Sequence, residues 1–206
     1  TNLEHQSHGA ERTMKPQLGD TILNRYTLVS SLREEPGIQA WKANDRVLAK
    51  DCQLFIITDR SAFAAIDKLA GRIAATRPDR VIPVLKYRME SDVLLIVMPV
   101  DSGQCLTDYM VDTAKPLSYS AIRSIIGECA DVLREVIADT PSGIVITTDT
   151  VRVTTSGVQI ADAPCATMLA DTSATDLRTD GPERYAIRQL AALLYTLLTR
   201  TPSQAT

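Results

Sequence analysis

The segment Tyr185 to Leu198 (YAIRQLAALLYTLL) is apolar nearly all the way round a helical circumference. A helix without a polar stripe has to be covered on most sides, so this one demands a core built from several other elements. The chain has the material: 206 residues, 45% of them hydrophobic, suffice for one sizeable core or for two small lobes packed on each other.

The remaining apolar runs indicate what does the covering. Ser118 is placed to cap a helix in which Ile122, Ile125, Ile126, Cys129, Val132, Leu133 and Val136 trace one face. Upstream, Arg25 to Val29 and Ile38 to Ala43 read as strands around a Pro36-Gly37 turn, and Gln53 to Thr58 is apolar enough to be buried on both faces. Ser61 to Ala75 is a helix whose stripe is Phe63, Ile66, Leu69, Ala70 and Ile73, ended by Pro78. Val81 to Tyr87 and Val93 to Val100 read as strands joined across Met89-Glu90-Ser91-Asp92. Val151 to Val153 and Val158 to Ile160 flank Thr154-Thr155-Ser156-Gly157 as a hairpin, and a loop over 163–183 leads to the final helix. The expected fold class is α+β, with a disordered tail over 1–20, an upper lobe over 21–101 and a lower lobe over 102–206.

Composition removes several functions. Net charge is −3 with basic and acidic residues interspersed, which gives nucleic acid or anionic lipid no footprint. His5 and His8, the two histidines, fall in the polar tail, so histidine-based acid–base, nucleophilic and metal chemistry has no residue in the folded part. Cys52, Cys105, Cys129 and Cys165 are far apart with no CxxC pair, as expected of small buried hydrophobes in a reducing compartment. The longest apolar stretches, Val93 to Val100 and Leu190 to Leu198, fall well short of the roughly 20 residues of a membrane span. A cytoplasmic domain is expected, free-standing or carried by an inner-membrane protein.

Four segments, taken in order, resemble a bacterial Ser/Thr protein kinase. Tyr26 to Leu32 followed by IQAWKAND (38–45) resembles the opening strands around the glycine-rich lid. LLIVMPVDSGQCLTDYM (94–110) resembles the hinge, with Met98 as gatekeeper, Pro99 and Val100 at the adenine position, and Gly103 and Leu106 opening the lower lobe. GVQIAD (157–162) resembles the strand into Asp-Phe-Gly, and IRQLAALLYTLLTRTP (187–202) the buried helix of the lower lobe. The resemblance spans about residues 20–202 and implies a two-lobed protein-kinase-like fold with a truncated lower lobe.

Against that pattern, the chemistry is missing. Phosphoryl transfer needs a glycine-rich lid, a lysine on the phosphates, a glutamate holding it, metal-ligating Asp and Asn, and a catalytic-loop Asp. The lid here has one glycine, Gly37, beside Glu34 and Glu35, which would repel a triphosphate. The lysine position aligns with Ile56, its glutamate partner with Lys68, His-Arg-Asp with Ile146-Thr147-Thr148, and Asp-Phe-Gly with Asp162-Ala163-Pro164. Asp162 is either a residual metal ligand or a solvated or capped acid. Lys42 is the one candidate to replace the lost lysine. The cleft is thus expected to be walled by aliphatic and acidic side chains, with no catalytic residue, bound cofactor or metal.

The absent glycines and short catalytic loop are most similar to the cytoplasmic pseudokinase domain of actinobacterial MviN/MurJ-type proteins, the lipid II flippases of peptidoglycan synthesis. That resemblance implies a scaffold phosphorylated on threonine by a Ser/Thr protein kinase and then bound by a forkhead-associated (FHA) domain, which restrains cell-wall synthesis. Leu193 and Leu197 on the last helix are the candidate interface, for a partner or a homodimer. Two alternatives stand beside this reading: an atypical kinase or nucleotide sensor using Asp162 and Lys42, and an unrelated α+β domain, which the lack of a long lower-lobe helix would reveal.

Overall fold

The computed structural model describes residues 15–111, 117–137, 144–169 and 181–199. An upper sheet of six antiparallel strands is formed by β1 (Thr21–Ile22), β2 (Tyr26–Glu35), β3 (Ile38–Asp45), β4 (Lys50–Ile57), β5 (Lys86–Glu90) and β6 (Val93–Pro99), in the order β1-β2-β3-β4-β6-β5. Helix α1 (Phe63–Thr76) follows β4. The lower part holds α2 (Leu106–Val111), α3 (Tyr119–Val136), α4 (Ala166–Leu169) and α5 (Pro182–Thr199), with a three-stranded sheet of β7 (Gln104–Cys105), β8 (Val151–Thr154) and β9 (Gly157–Ile160). This is the α+β, two-lobed arrangement expected, with the long lower-lobe helix present.

Local chemistry accounts for the boundaries. Gly37 sits at φ +81 after Pro36, the geometry that a tight Pro-Gly turn between β2 and β3 demands. A Cβ there would come 2.7 Å from that of Asp59, so the turn admits only glycine without movement. Ser118 caps α3 as the sequence predicts, its Oγ accepting from the Ala121 amide at 3.1 Å. Helix α1 ends at Arg77 in the left-handed conformation, just before Pro78. Of the tail expected over 1–20, residues 15–20 are described and are tied to β2 by Gly19 N to Leu28 O and Leu28 N to Asp20 O, both 2.9 Å. Residues 1–14, with His5 and His8, lie outside the described residues.

Alternation along the upper sheet divides its side chains between two cores. One face, with Ile38, Ala40, Phe55, Ile57, Leu94, Ile96 and Met98, joins α1 and the lower lobe in one continuous cluster that includes Leu106, Cys129, Val132 and Ile160. The other face, with Tyr26, Leu28, Trp41, Leu54, Ile56, Leu95 and Val97, forms a second cluster flanked by Ile22 and Leu23.

Two sequence expectations are corrected. The run 81–87 is not one strand. Ile82 N donates to Ile160 O at 2.9 Å and Ile160 N to Arg80 O at 2.7 Å, so its start is spent on the lower-lobe hairpin, and only Lys86 and Tyr87 enter β5. On α5 it is the interface residues that change: Ile187, Leu194, Tyr195 and Leu198 are exposed, while Ala186, Gln189, Leu193, Thr196 and Leu197 face inward. Leu193 and Leu197, at 3% and 4% exposure, are core and unavailable as an interface. Among the described residues, no helix is long and apolar enough to cross a membrane.

Candidate functional site

A cleft of about 310 Å³ opens between the lobes. Its roof comes from β2 (Leu32, Arg33), β3 (Ala40, Lys42) and β4 (Gln53, Phe55). The hinge supplies Val100, Asp101 and Cys105, and the floor supplies Asp149, Arg152, Asp162 and Leu169.

Ile56, which the sequence aligns with the lysine position, does not reach the cleft. Phe55, not Ile56, points into the cleft. Ile56 lies 2% exposed among Trp41, Leu54 and Leu95 on the opposite face. A slip of one residue reverses the face of every side chain in a strand. Lys68 is exposed on α1 and is not among the residues that line the cleft.

The lid acids are corrected as well. Glu34 pairs with Lys15, Glu35 with Arg33 at 3.2 Å, and both acids border a separate groove on the outer face of the sheet with Pro16, Ile56 and Leu95. A bulge between Ser31 and Arg33 lets consecutive residues Leu32 and Arg33 both reach the cleft. An acid-walled cleft is therefore not what the chain builds: Arg33, Lys42 and Arg152 stand there beside Asp101, Asp149 and Asp162. Lys42 faces Asp51 at 3.5 Å.

The hinge end holds a connected set of side-chain bonds. Asp101 Oδ1 accepts from Gln53 Nε2 at 2.8 Å, and Oδ2 pairs with Arg152 Nε. Arg152 Nη1 donates to the Asp149 carbonyl and lies 3.4 Å from Cys105 Sγ. Burial works against the Arg152 cation, but the bond and charge of Asp101 outweigh it and leave the guanidinium above its usual pKa. Gly103 permits this closeness, because a Cβ there would sit 2.8 Å from that of Arg152.

Across the floor, Asp162 adopts a left-handed φ of +66 after β9. Burial pushes its carboxyl pKa up, against the pull of Arg152. Ala163 and Pro164 are buried behind it. Ile146 is core, and Thr147 and Thr148 turn the chain toward Asp149. Asp149 is a floor residue that sequence reasoning missed. It accepts from Thr107 Oγ1 at 2.7 Å, and the Thr107 amide donates to Thr148 O at 3.0 Å. It sits one place past the aligned His-Arg-Asp position, in a loop too short for the motif spacing to find it.

Gln189 is the second missed residue. From inside α5 its Oε1 accepts from Ile146 N at 2.5 Å and its Nε2 donates to Ile144 O at 3.2 Å. The loop is braced further by Thr150 Oγ1, which donates to Val145 O at 2.7 Å. A lone glutamine on an apolar helix was the only available signal. Cys52, Cys129 and Cys165 are buried thiols; burial lifts Cys52 to about 11 and Cys129 to about 12, and Cys165 well above the usual range. Cys105 is partly exposed within the cleft. Among the described residues no group of three or more His, Cys, Asp or Glu is placed to hold a metal ion.

No family model and no curated protein matches this sequence. Solved structures do. The kinase domain of Mycobacterium tuberculosis PknI, in a cysteine-to-alanine mutant, superposes with a TM-score of 0.71 at 17% identity, over 93% of this chain and 80% of that one. Rad53 residues 1–466 in complex with AMP-PNP gives 0.72 at 16% identity, over 88% of this chain and 51% of that one. The fold is protein-kinase-like.

Proposed function

We propose that this kinase-like domain is catalytically inactive and works as a phosphorylation-dependent scaffold, modified on threonine by a Ser/Thr protein kinase and then read by an FHA-domain partner. Its setting would be the control of peptidoglycan synthesis, on the cytosolic side of a membrane protein. The observation that carries the inactive reading is Phe55. The inward position of β4, where a phosphate-binding lysine is needed, holds an aromatic ring at 1% exposure that belongs to the main core. Charge neutralisation is the largest part of phosphoryl-transfer catalysis, and a buried phenyl contributes none. With few fixed charges of one sign, the surface would gain a strong local anchor from a phosphate carrying roughly −1.5 to −2 charge.

A second reading, an atypical kinase or nucleotide sensor, is favoured by one observation: Lys42, Asp149 and Asp162 line the same cleft. Thermal shift with ATP and Mg²⁺ or Mn²⁺ separates the two. A nucleotide at a hundred times its Kd would stabilise the fold by about 2.7 kcal/mol, and the scaffold reading expects no shift at millimolar nucleotide. The scaffold itself is tested by FHA-domain pull-down before and after kinase treatment. Equal capture in both states refutes it.

A further inference from the structure

We infer that Gln53, Asp101 and Arg152 form a brace that fixes the angle between the lobes and occupies the hinge end of the cleft. The three residues come from the upper sheet, the hinge and the lower-lobe hairpin, and Asp101 uses both carboxylate oxygens to join the other two. The Asp101 and Arg152 side chains are only 17% and 14% exposed, so the pair is largely withdrawn from water. A charge pair in that setting holds its geometry firmly, because separating it strands a charge that water cannot reach. The lobes are also joined behind the cleft by the backbone bonds of Arg80 and Ile82 to Ile160. Relative motion must therefore pivot about that seam and pull on the brace.

Two consequences follow from this geometry. The end of the cleft beside the hinge is lined by a carboxamide, a carboxylate and a guanidinium bonded to one another. Any planar ring seeking an apolar slot against the hinge would have to break these bonds first. A surface that spans both lobes is also presented to a partner already formed, which spares the ordering cost of binding. The brace does not depend on which partner that is, or on whether the partner reads a phosphate.

Cys105 provides a built-in reporter. It touches Arg152 at 3.4 Å and lines the cleft, whereas Cys129 is fully buried in α3 and reports global unfolding. The test is the rate of N-ethylmaleimide alkylation at each cysteine of the intact chain, resolved by mass spectrometry, in the wild type and in Gln53→Ala. This substitution leaves Arg152, Asp101 and Cys105 in place, so the thiol keeps its charged neighbours. Losing one hydrogen bond to a charged group should populate the open form about tenfold more, and the part of Cys105 alkylation that runs through the open form follows that population, added to the basal reaction of the partly exposed thiol. Cys105 alkylation should therefore rise, by at most about tenfold, with Cys129 unchanged. Arg152→Leu, which keeps the bulk and removes the charge, should act in the same direction. Should that variant fail to fold, Gln53→Ala decides alone. A Cys105 rate in Gln53→Ala no faster than wild type overturns the brace, as does a rise matched by Cys129, because either result means that no local opening was released.

Discussion

Replacing Gln189 by alanine removes both bonds that tie α5 to the loop forming the cleft floor. Its carboxamide meets the Ile146 amide at 2.5 Å and the Ile144 carbonyl at 3.2 Å, and these two residues are only 2% and 3% exposed. Water cannot easily replace the lost partner there. Each stranded buried backbone group costs about 1–3 kcal/mol, so Gln189→Ala should destabilise the fold by about 2–5 kcal/mol. In urea denaturation this lowers the midpoint by about 1–2 M, given the slope usual for a domain of this size. Gln189→Glu sharpens the test. The introduced carboxylate, when ionised, can still accept from Ile146 but faces the Ile144 carbonyl with a second acceptor, whereas the protonated form can donate to it. The folded state therefore raises that carboxyl above its unfolded pKa of about 4.3. With the folded pKa raised, the protonated form's stabilisation is full below the unfolded value and is lost as pH rises through the folded one. The deficit of Gln189→Glu should accordingly be large at neutral pH and shrink as pH falls toward about 4. A Gln189→Ala midpoint equal to wild type, or a Gln189→Glu deficit independent of pH, would refute the claim that this side chain carries the loop.

Three further outcomes are expected. Asp45 receives two bonds from Arg25, at 2.8 and 2.7 Å, and one from each of the Val47 and Leu48 amides, and the Arg25 bond above all lowers its pKa to about 2. Its stabilisation is full above the unfolded value of about 3.9 and disappears as pH falls through about 2, so Asp45→Asn should flatten the stability profile between those limits, and an unchanged acid slope would contradict this. On α5, Leu193→Ala should cost about 2–5 kcal/mol, whereas Leu198→Glu should stay within about 0.5 kcal/mol; the reverse order by urea denaturation would mean that the helix presents its other face. Phe55→Lys buries a cation in the main core and should cost about 3–5 kcal/mol without creating nucleotide affinity, which wild-type stability together with an ATP-dependent thermal shift would disprove.

Much of the architecture is legible because the devices that set it are local. Pro36-Gly37 fixes its turn, Ser118 its cap, and the apolar spacing of 122–136 its helix, each within a few residues. Parity is less accessible. Leu54 to Ile57 is apolar and buried on both faces, so the run lacks the alternation that would say which residues look into the cleft. The choice between Phe55 and Ile56 is made by pairing with β3 and β6, which places Phe55 opposite Ala40 and Ile96. The same limit explains α5. A helix apolar all round gives no moment to orient it, and its inward face proves to be the one with Gln189 and Thr196, while Leu194, Tyr195 and Leu198 look outward. The inward glutamine answers a need for partners at 144 and 146 that no property of α5 itself reveals.

The charges of the β2–β3 hairpin carry the same lesson into function. Read along the chain, Arg33-Glu34-Glu35 is a net acidic tip over the cleft. Folded, the bulge delivers Arg33 to the cleft side with Glu35 on the same face and paired to it at 3.2 Å, while Glu34, between them, is turned the other way toward Lys15 and the outer groove. A triphosphate would therefore not meet two free acids: Glu34 is on the other face and Glu35 is paired with Arg33. It would meet Arg33 and Lys42 on the roof with Asp149 and Asp162 below, and between them Phe55 where a third cation would be needed. The case against phosphoryl transfer then rests less on repulsion by the lid than on Phe55, whose place in the main core admits no cation without loss of stability. Neutralising the lid acids with Glu34→Gln and Glu35→Gln should on this account leave nucleotide affinity where it was, and a gain in ATP-dependent stabilisation from that pair would return the decisive role to the lid.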